Sequence, residues 1–158
     1  EFAERFEGRN LDLICILQPE PLLIRADSRR IWRVLENLYV NVCKYAMPGT
    51  RVYVDAIKKD GKIQLSIKNI SENPLNFQAD ELTERFIRGD VSRSTEGSGL
   101  GLSIAKNLTV LQHGSFNIYL DGDLFKVTIT FDEAVKEKKP MPPMIVPEAV
   151  QEEAQQDA

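Results

Sequence analysis

The chain has 158 residues and a formal net charge of −4, and it contains no run of the roughly 18 apolar residues that a membrane span requires. Residues 140–158 hold four acidic side chains and no Lys or Arg, so this tail accounts for the whole net charge. The neutral remainder lacks the basic field of a nucleic-acid-binding domain, and we expect no nucleic acid partner.

Three segments differ in composition. Residues 1–9 are predicted to be the end of a preceding helical dimerisation domain, or a linker, because Phe2 and Phe6 share a helix face and Gly8 ends the pattern. Residues 10–132 are predicted to form one α+β domain. Residues 133–158 are rich in Pro, Gln and acidic side chains, and we expect this tail to be disordered.

The domain is predicted to begin with a strand and a long helix. Residues 11–17 are almost entirely apolar and indicate a buried strand. Asp27 or Ser28 is predicted to cap the helix, whose apolar residues recur at helical spacing as far as Tyr45. We expect Cys15 and Cys43 to be buried, reduced thiols rather than a disulfide, as in a cytosolic protein.

Two hairpins are predicted downstream. Residues 51–59 and 62–69 flank Asp60-Gly61, a dipeptide typical of two-residue turns, and residues 115–120 and 125–131 flank a second turn. Between the hairpins we expect a loop, a short helix over 79–86 and an aperiodic stretch over 87–98. A connection of this length in a compact domain is typical of a functional lid.

A polar row lies beside the apolar stripe of the long helix. Asn37, Asn41 and Lys44 follow one another at i, i+4 and i+7, although asparagine is a poor helix former. Carboxamide oxygens are hard ligands suited to Mg²⁺, and a lysine reaches a phosphate as a point charge. The alternative interpretation is an ordinary solvated helix face.

A glycine-rich stretch, Gly97-Ser98-Gly99-Leu100-Gly101-Leu102, leads into an apolar-periodic helix. Free amides at a helix N-terminus bind anions, so this arrangement favours a phosphate site, although a flexible linker would show similar glycines. We predict that the helix ends at Gly114 as its C′ residue, with His113 in the last turn. The element order then indicates a two-layer α+β sandwich, with a mixed, mostly antiparallel sheet covered on one face by helices.

Three of these segments together resemble sensor histidine kinases. Residues 37–45 resemble their N box, residues 84–93 their F box and lid, and residues 97–103 their G2 box, in the same order. The resemblance covers about residues 10–131 and implies the Bergerat ATP-binding fold, shared with type II topoisomerases, MutL-like repair proteins and large heat-shock chaperones. It also implies an ATP-dependent protein histidine kinase whose cofactors are ATP and Mg²⁺.

The resemblance assigns roles to individual residues. Asn41 is implied as the main Mg²⁺ ligand, with Asn37 orienting a water or phosphate oxygen and Lys44 contacting a phosphate. Tyr45 borders the nucleotide or belongs to the core. Arg88 and Arg93 of the lid are candidates for contacts to the γ-phosphate. The nucleotide would further lie against the residues of the G2 box, namely Gly97, Ser98, Gly99, Leu100, Gly101 and Leu102.

Two positions depart from related patterns. ATP-hydrolysing relatives carry a glutamate where this chain has Asn37, which cannot act as a general base, and this favours a kinase over a hydrolase. The G1 box, normally Asp-x-Gly-x-Gly, reads Asn69-Ile70-Ser71-Glu72-Asn73. Asn69 can still accept a hydrogen bond from the adenine amino group, but a neutral bond replaces a charge-assisted one.

The implied partners lie on other domains or chains. His113 is expected to be structural, so the acceptor histidine belongs to a separate dimerisation domain, and a response regulator acts downstream. We expect a monomeric isolated domain, a homodimeric full-length protein, and a location on the cytoplasmic side of a membrane sensor. The alternatives are a degenerate, non-catalytic domain that regulates by protein contact, and a serine kinase of the anti-sigma-factor type.

Overall fold

The computed structural model describes residues 2–75 and 100–135. Within them the elements are α1 (Phe2–Gly8), β1 (Asp12–Leu17), α2 (Ser28–Tyr45), β2 (Arg51–Lys59), β3 (Lys62–Ile70), α3 (Gly101–Leu111), β4 (Ser115–Asp121) and β5 (Leu124–Asp132). The predicted helix over 79–86, the predicted lid over 87–98 and most of the predicted tail lie outside the described residues.

The five strands form one sheet in the order β1-β2-β3-β5-β4. β1 pairs parallel to β2, and the other three pairings are antiparallel. One face of the sheet packs on the helices through a common core that includes Val34 and Leu38 of α2, Leu102 of α3 and Val127 of β5. This arrangement confirms the predicted two-layer α+β class with a mixed, mostly antiparallel sheet.

A two-residue turn and a helix cap that were predicted from the sequence are both present in the structure. Asp60 and Gly61 both have positive φ, 51° and 70°, as a two-residue turn of type I′ requires, and they join β2 to β3. The carboxylate of Asp27 accepts hydrogen bonds from the amides of Arg29 and Arg30, which makes Asp27 the N-cap of α2. Both predictions are confirmed.

The first strand differs from its prediction. β1 lies at the edge of the sheet, and Leu13, Ile16 and Leu17 are exposed rather than buried. An apolar run has the same composition in a central strand and in an edge strand, so periodicity alone could not separate the two.

The prediction of two buried thiols is also wrong. Cys15 of β1 is exposed and Cys43 of α2 is half-buried, and both are free. Burial is the main influence on Cys43 and raises the pKa of its thiol, while Arg5 and Arg9 act in the opposite direction. The exposure of Cys15 follows from the edge position of β1.

The end of α3 uses its residues differently from the prediction. The amide of His113 donates to the carbonyl of Val110 and the amide of Gly114 donates to that of Thr109, which is the Schellman pattern. His113, with φ of 64°, therefore holds the left-handed C′ position that was predicted for Gly114. Gly114 is required for another reason, because a Cβ there would lie 2.7 Å from the ring of Phe131.

Substitutions at His113 and at Gly114 should change the stability of the domain in opposite directions. His113→Gly should raise the free energy of unfolding by about 1 kcal/mol, because glycine adopts positive φ without steric strain. Gly114→Ala should lower it by roughly 1–3 kcal/mol, because the methyl group overpacks against Phe131 and Thr109. Urea denaturation of both variants measures the two changes. A stabilised Gly114→Ala protein would contradict the packing argument.

Candidate functional site

The last turn of α2 is joined to the end of β3 by backbone pairing. Ala46 and Ser71 form an antiparallel bridge. The amide of Met47 donates to the carbonyl of Ile70, and the amide of Glu72 donates to that of Tyr45, each at 2.8 Å. These bonds bring two predicted site residues, Tyr45 on α2 and Asn69 on β3, to the same end of the molecule.

Asn69 presents an unpaired acceptor inside the fold. Its side chain is 3% exposed and lies on the helix-covered face of β3, two residues after the core residue Ile67. Its Nδ2 donates to the carbonyl of Ile70 at 3.2 Å, while its Oδ1 is buried and has no hydrogen-bond partner among the described residues. The Ile70 bond sets the amide orientation, because the opposite one would place two acceptors together.

Asn37 is held in place by its own helix. Its Nδ2 donates to the carbonyl of Arg33, one turn earlier, at 2.7 Å. Its Oδ1 would lie 3.3 Å from a Cβ on Gly101, the first residue of α3. The absence of a side chain on Gly101 thus leaves room for the Asn37 carboxamide oxygen between the two helices.

The two helices run antiparallel. The amide of Asp27, at the start of α2, donates to Oε1 of Gln112, beyond the end of α3, at 2.8 Å. Gly101, at the other end of α3, lies against Asn37, near the middle of α2. The first turn of α3 is therefore directed towards the polar row of α2.

The start of α3 has no side-chain cap among the described residues. The hydroxyl of Ser103 donates to the carbonyl of Leu100 rather than accepting from an amide. Unpaired amides at a helix N-terminus are suited to bind an anion. The Leu102 side chain is in the core, so only its backbone could contact a ligand.

Three further predicted site residues lie within the described part of the chain. Asn41 and Tyr45 are half-buried and Lys44 is exposed. The hydrophobic core cluster of the described residues does not include Tyr45, which weighs against the interpretation of Tyr45 as a core residue. The candidates that fall outside the described residues are Arg88, Arg93, Gly97, Ser98 and Gly99.

Arg9 contributes to this end of the molecule and was not predicted from the sequence. Its Nη2 donates to the carbonyl of Ala46 at 2.7 Å and to the carboxylate of Glu72 at 2.8 Å. One guanidinium group therefore ties the end of α1 to both chain segments that meet at the end of α2. Its partners lie 37 and 63 residues away in the chain, so no local pattern could have identified it.

Residues 26–135 match the family described as the histidine kinase-, DNA gyrase B- and HSP90-like ATPases. The chain belongs to this family. The match covers well over half of the chain and includes α2, the sheet from β2 onwards and α3. The predicted resemblance is confirmed, and as a member of an ATPase family the domain binds ATP.

Sensor histidine kinases are among the curated relatives that the chain matches. The chain is 31% identical over 115 residues to the signal transduction histidine-protein kinase BaeS of Escherichia coli, which is 72% of this chain and 24% of BaeS. It is 31% identical over 144 residues to the sensor histidine kinase WalK of Bacillus subtilis, covering 86% of this chain and 23% of WalK. The chain thus spans about a quarter of the length of these relatives.

Solved structures agree on the fold. The nucleotide-free catalytic domain of histidine kinase ThkA superposes with a TM-score of 0.70 at 23% identity, covering 84% of this chain and 85% of that one. The mycobacterial sensor histidine kinase MprB superposes with a TM-score of 0.66 at 24% identity, covering 84% of this chain and 89% of that one.

Within residues 2–75 and 100–135, no helix has both the length and the apolar character needed to cross a membrane.

Proposed function

We propose that this chain is the ATP-binding catalytic domain of a two-component sensor histidine kinase, which transfers the γ-phosphoryl group of ATP to a histidine on a separate dimerisation domain. The observation that carries the proposal is the meeting of three distant segments around α2. Asn37 lies against Gly101, and Tyr45 is joined to the chain that follows Asn69. These are the positions that the N, G2 and G1 boxes would supply.

The adenine contact is assigned to Asn69. Its Oδ1 is a buried acceptor without a partner among the described residues, and leaving such a group unpaired costs roughly 1–3 kcal/mol. The 6-amino group of adenine is a donor and would satisfy it. A base with an acceptor at that position, such as guanine, would not.

Mg²⁺ is assigned to Asn41, with Asn37 as a second candidate. The bond from Asn37 Nδ2 to Arg33 occupies the donor side of that amide and leaves its oxygen available, which fits the preference of Mg²⁺ for oxygen ligands. The ion would supply charge neutralisation at the transferring phosphates. Both ligands are neutral, so they add no negative charge beside the nucleotide.

The remaining groups bind and position phosphate. The amides at the start of α3 would donate to phosphate oxygens, and the exposed Lys44 would add a positive charge on the same side of α2 as Asn41. Asn37 has no titratable group and cannot take the proton of the nucleophile, so we infer that a group on the acceptor domain takes it. Catalysis of this kind depends on positioning and electrostatics rather than on a base in this domain.

The relatives support this assignment. BaeS and WalK are named as histidine kinases, and the full-length histidine kinase ShkA, solved in complex with AMPPNP, superposes with a TM-score of 0.69 at 20% identity. Its match covers 85% of this chain and 28% of ShkA. We infer a response regulator as downstream partner, a homodimeric parent protein and a position on the cytoplasmic side of a membrane sensor.

The degenerate-domain alternative has one observation in its favour, which is the substitution of the G1 aspartate by Asn69 together with the loss of both glycines. Against it stands the retention of Asn41, Lys44 and Gly101. The serine kinase alternative has no specific support among the described contacts.

Phosphoryl transfer tests the function directly. Labelled ATP and this chain should transfer label to the dimerisation domain of the same protein, and the label should be acid-labile and base-stable. Asn41→Ala should greatly reduce transfer while the protein stays folded by circular dichroism. Label on a serine-bearing substrate, with none on the dimerisation domain, would favour the serine kinase instead.

The adenine contact predicts a coupled loss of affinity. By calorimetry, an ATP analogue with hydrogen in place of the 6-amino group should bind the wild-type domain more weakly by about 1–3 kcal/mol, roughly five- to 150-fold. The Asn69→Ala variant should bind this analogue and ATP with the same affinity. If Asn69→Ala still distinguishes the two ligands by the wild-type ratio, Asn69 does not contact the amino group.

Asn69→Asp separates a working site from a degenerate one. The carboxylate cannot donate to Ile70 and places a charge in a buried position, so we expect the free energy of unfolding to fall by roughly 1–3 kcal/mol at pH 7. ATP affinity should stay the same or decrease. A tenfold or larger gain in affinity would mean that the wild-type site has decayed, which is the degenerate-domain hypothesis.

A further inference from the structure

One side of α2 carries apolar side chains that α1 covers only in part. Phe2 and Phe6 of α1 pack on the ring of Tyr39, with centroid distances of 5.4 and 5.9 Å. Trp32 lies two turns before Tyr39 on the same helix face and is 66% exposed. Leu35, between them, is half-buried. The aromatic packing therefore stops partway along an apolar row.

The edge strand β1 carries a second set of exposed apolar side chains, which face the helix layer. Leu13 pairs with Val52 and Leu17 with Ala56, and paired residues point to the same face of a sheet. Val52 is fully buried under the helices, so Leu13 and Leu17 also point to the helix side. They are nevertheless 38% and 65% exposed, because no described element covers them there.

Cys15 lies between Leu13 and Leu17 on the same face of β1, because side chains two residues apart point to the same side of a strand. Its partner on β2, Val54, belongs to the same core cluster as Leu38 of α2, against which Tyr39 packs, so this face of β1 lies beside α2. Burial in the first place, and the nearby Cys15 in the second, raise the pKa of Tyr39, which agrees with this placement. We call the surface between β1 and α2 the α2–β1 groove, lined by Leu13, Cys15, Leu17, Trp32 and Leu35.

The direction of α1 is along this groove. Just beyond its C-terminal end, Arg9 bonds to the carbonyl of Ala46 at the end of α2, while Phe2 contacts Tyr39 further back on α2. Followed towards its N-terminus, α1 therefore points to Leu35 and Trp32. The groove is the direct continuation of an interface that α1 already makes.

We propose that the α2–β1 groove binds an amphipathic helix that continues α1 in the N-terminal direction. The Phe2 and Phe6 spacing of i and i+4 sets the pattern, so the occupant should be apolar about three to four and seven residues before Phe2. The matched stretch is only about a quarter of the curated relatives' length, so proteins of this family carry further chain from which such a helix can come.

The groove is separate from the nucleotide-facing row. Tyr39 and Asn37 are two residues apart and therefore point about 200° away from each other around α2. A helix in the groove would contact one side of α2 while the polar row occupies the other. Binding of a helix in the groove is therefore independent of ATP binding.

Trp32 provides the test, since it is the single tryptophan of the chain. Two versions of the full chain are compared, each with the same helical extension before Glu1. One extension has leucines at the positions that continue the Phe2 and Phe6 face, and the other has glutamines there. The leucine version should shift the Trp32 emission to shorter wavelength and reduce its quenching by acrylamide severalfold, while the glutamine version should not.

Two surface variants of the leucine version localise the effect. Leu17→Glu should restore quenching of Trp32, because it places a charge in the groove. Tyr119→Glu is the matched control, since Tyr119 is similarly exposed on β4 at the opposite edge of the sheet, and it should change nothing.

Two results would overturn the proposal. Equal quenching in the leucine and glutamine versions would mean that the groove does not take a helix in line with α1. Shielding of Trp32 in the unextended chain that grows with protein concentration, together with dimers in sedimentation velocity, would mean that a second copy occupies the groove instead.

Discussion

The site depends on the backbone pairing between the end of α2 and the end of β3. Without the bonds from Met47 to Ile70 and from Glu72 to Tyr45, nothing in the chain order would keep Asn69 beside the last turn of α2. Because the pairing uses backbone groups, it tolerates side-chain changes, including the loss of the two G1 glycines. Arg9 adds a side-chain contact to the same junction, and its buried Nε has no partner among the described residues.

α2 is the element that all other parts share. Its helical period distributes its residues over three sides: Val34, Leu38 and Val42 pack in the core, Asn37 lies against α3, and Tyr39 lies against α1. A helix held on three sides has little freedom to shift at one without disturbing the others. The geometry of the polar row is therefore set in part by packing remote from it, in the core and against α1.

Much of this architecture could be predicted because local signals carry it. Asp60-Gly61 adopts the positive φ values that its turn requires, and Asp27 caps α2 with its own carboxylate. The position of a strand in the sheet has no such signal. The exposure of β1 follows from which strand pairs with which, and Arg9 was missed because its partners are distant in the chain. Gly114 is explained mainly by the ring of Phe131, which lies on β5, far from Gly114 in the chain.

The properties of Asn69 follow from its residue type and from its buried contacts together. The residues alone show that a carboxylate has been replaced by an amide, which suggests a weaker adenine contact. The structure adds that the amide NH₂ is already used by the Ile70 carbonyl, a bond that a carboxylate could not make. A buried carboxylate would also lose several kcal/mol of hydration, whereas a buried amide with one bond satisfied loses much less. The amide therefore gives a more stable domain without nucleotide than a carboxylate would, and under the proposed function its buried oxygen remains available to the adenine amino group.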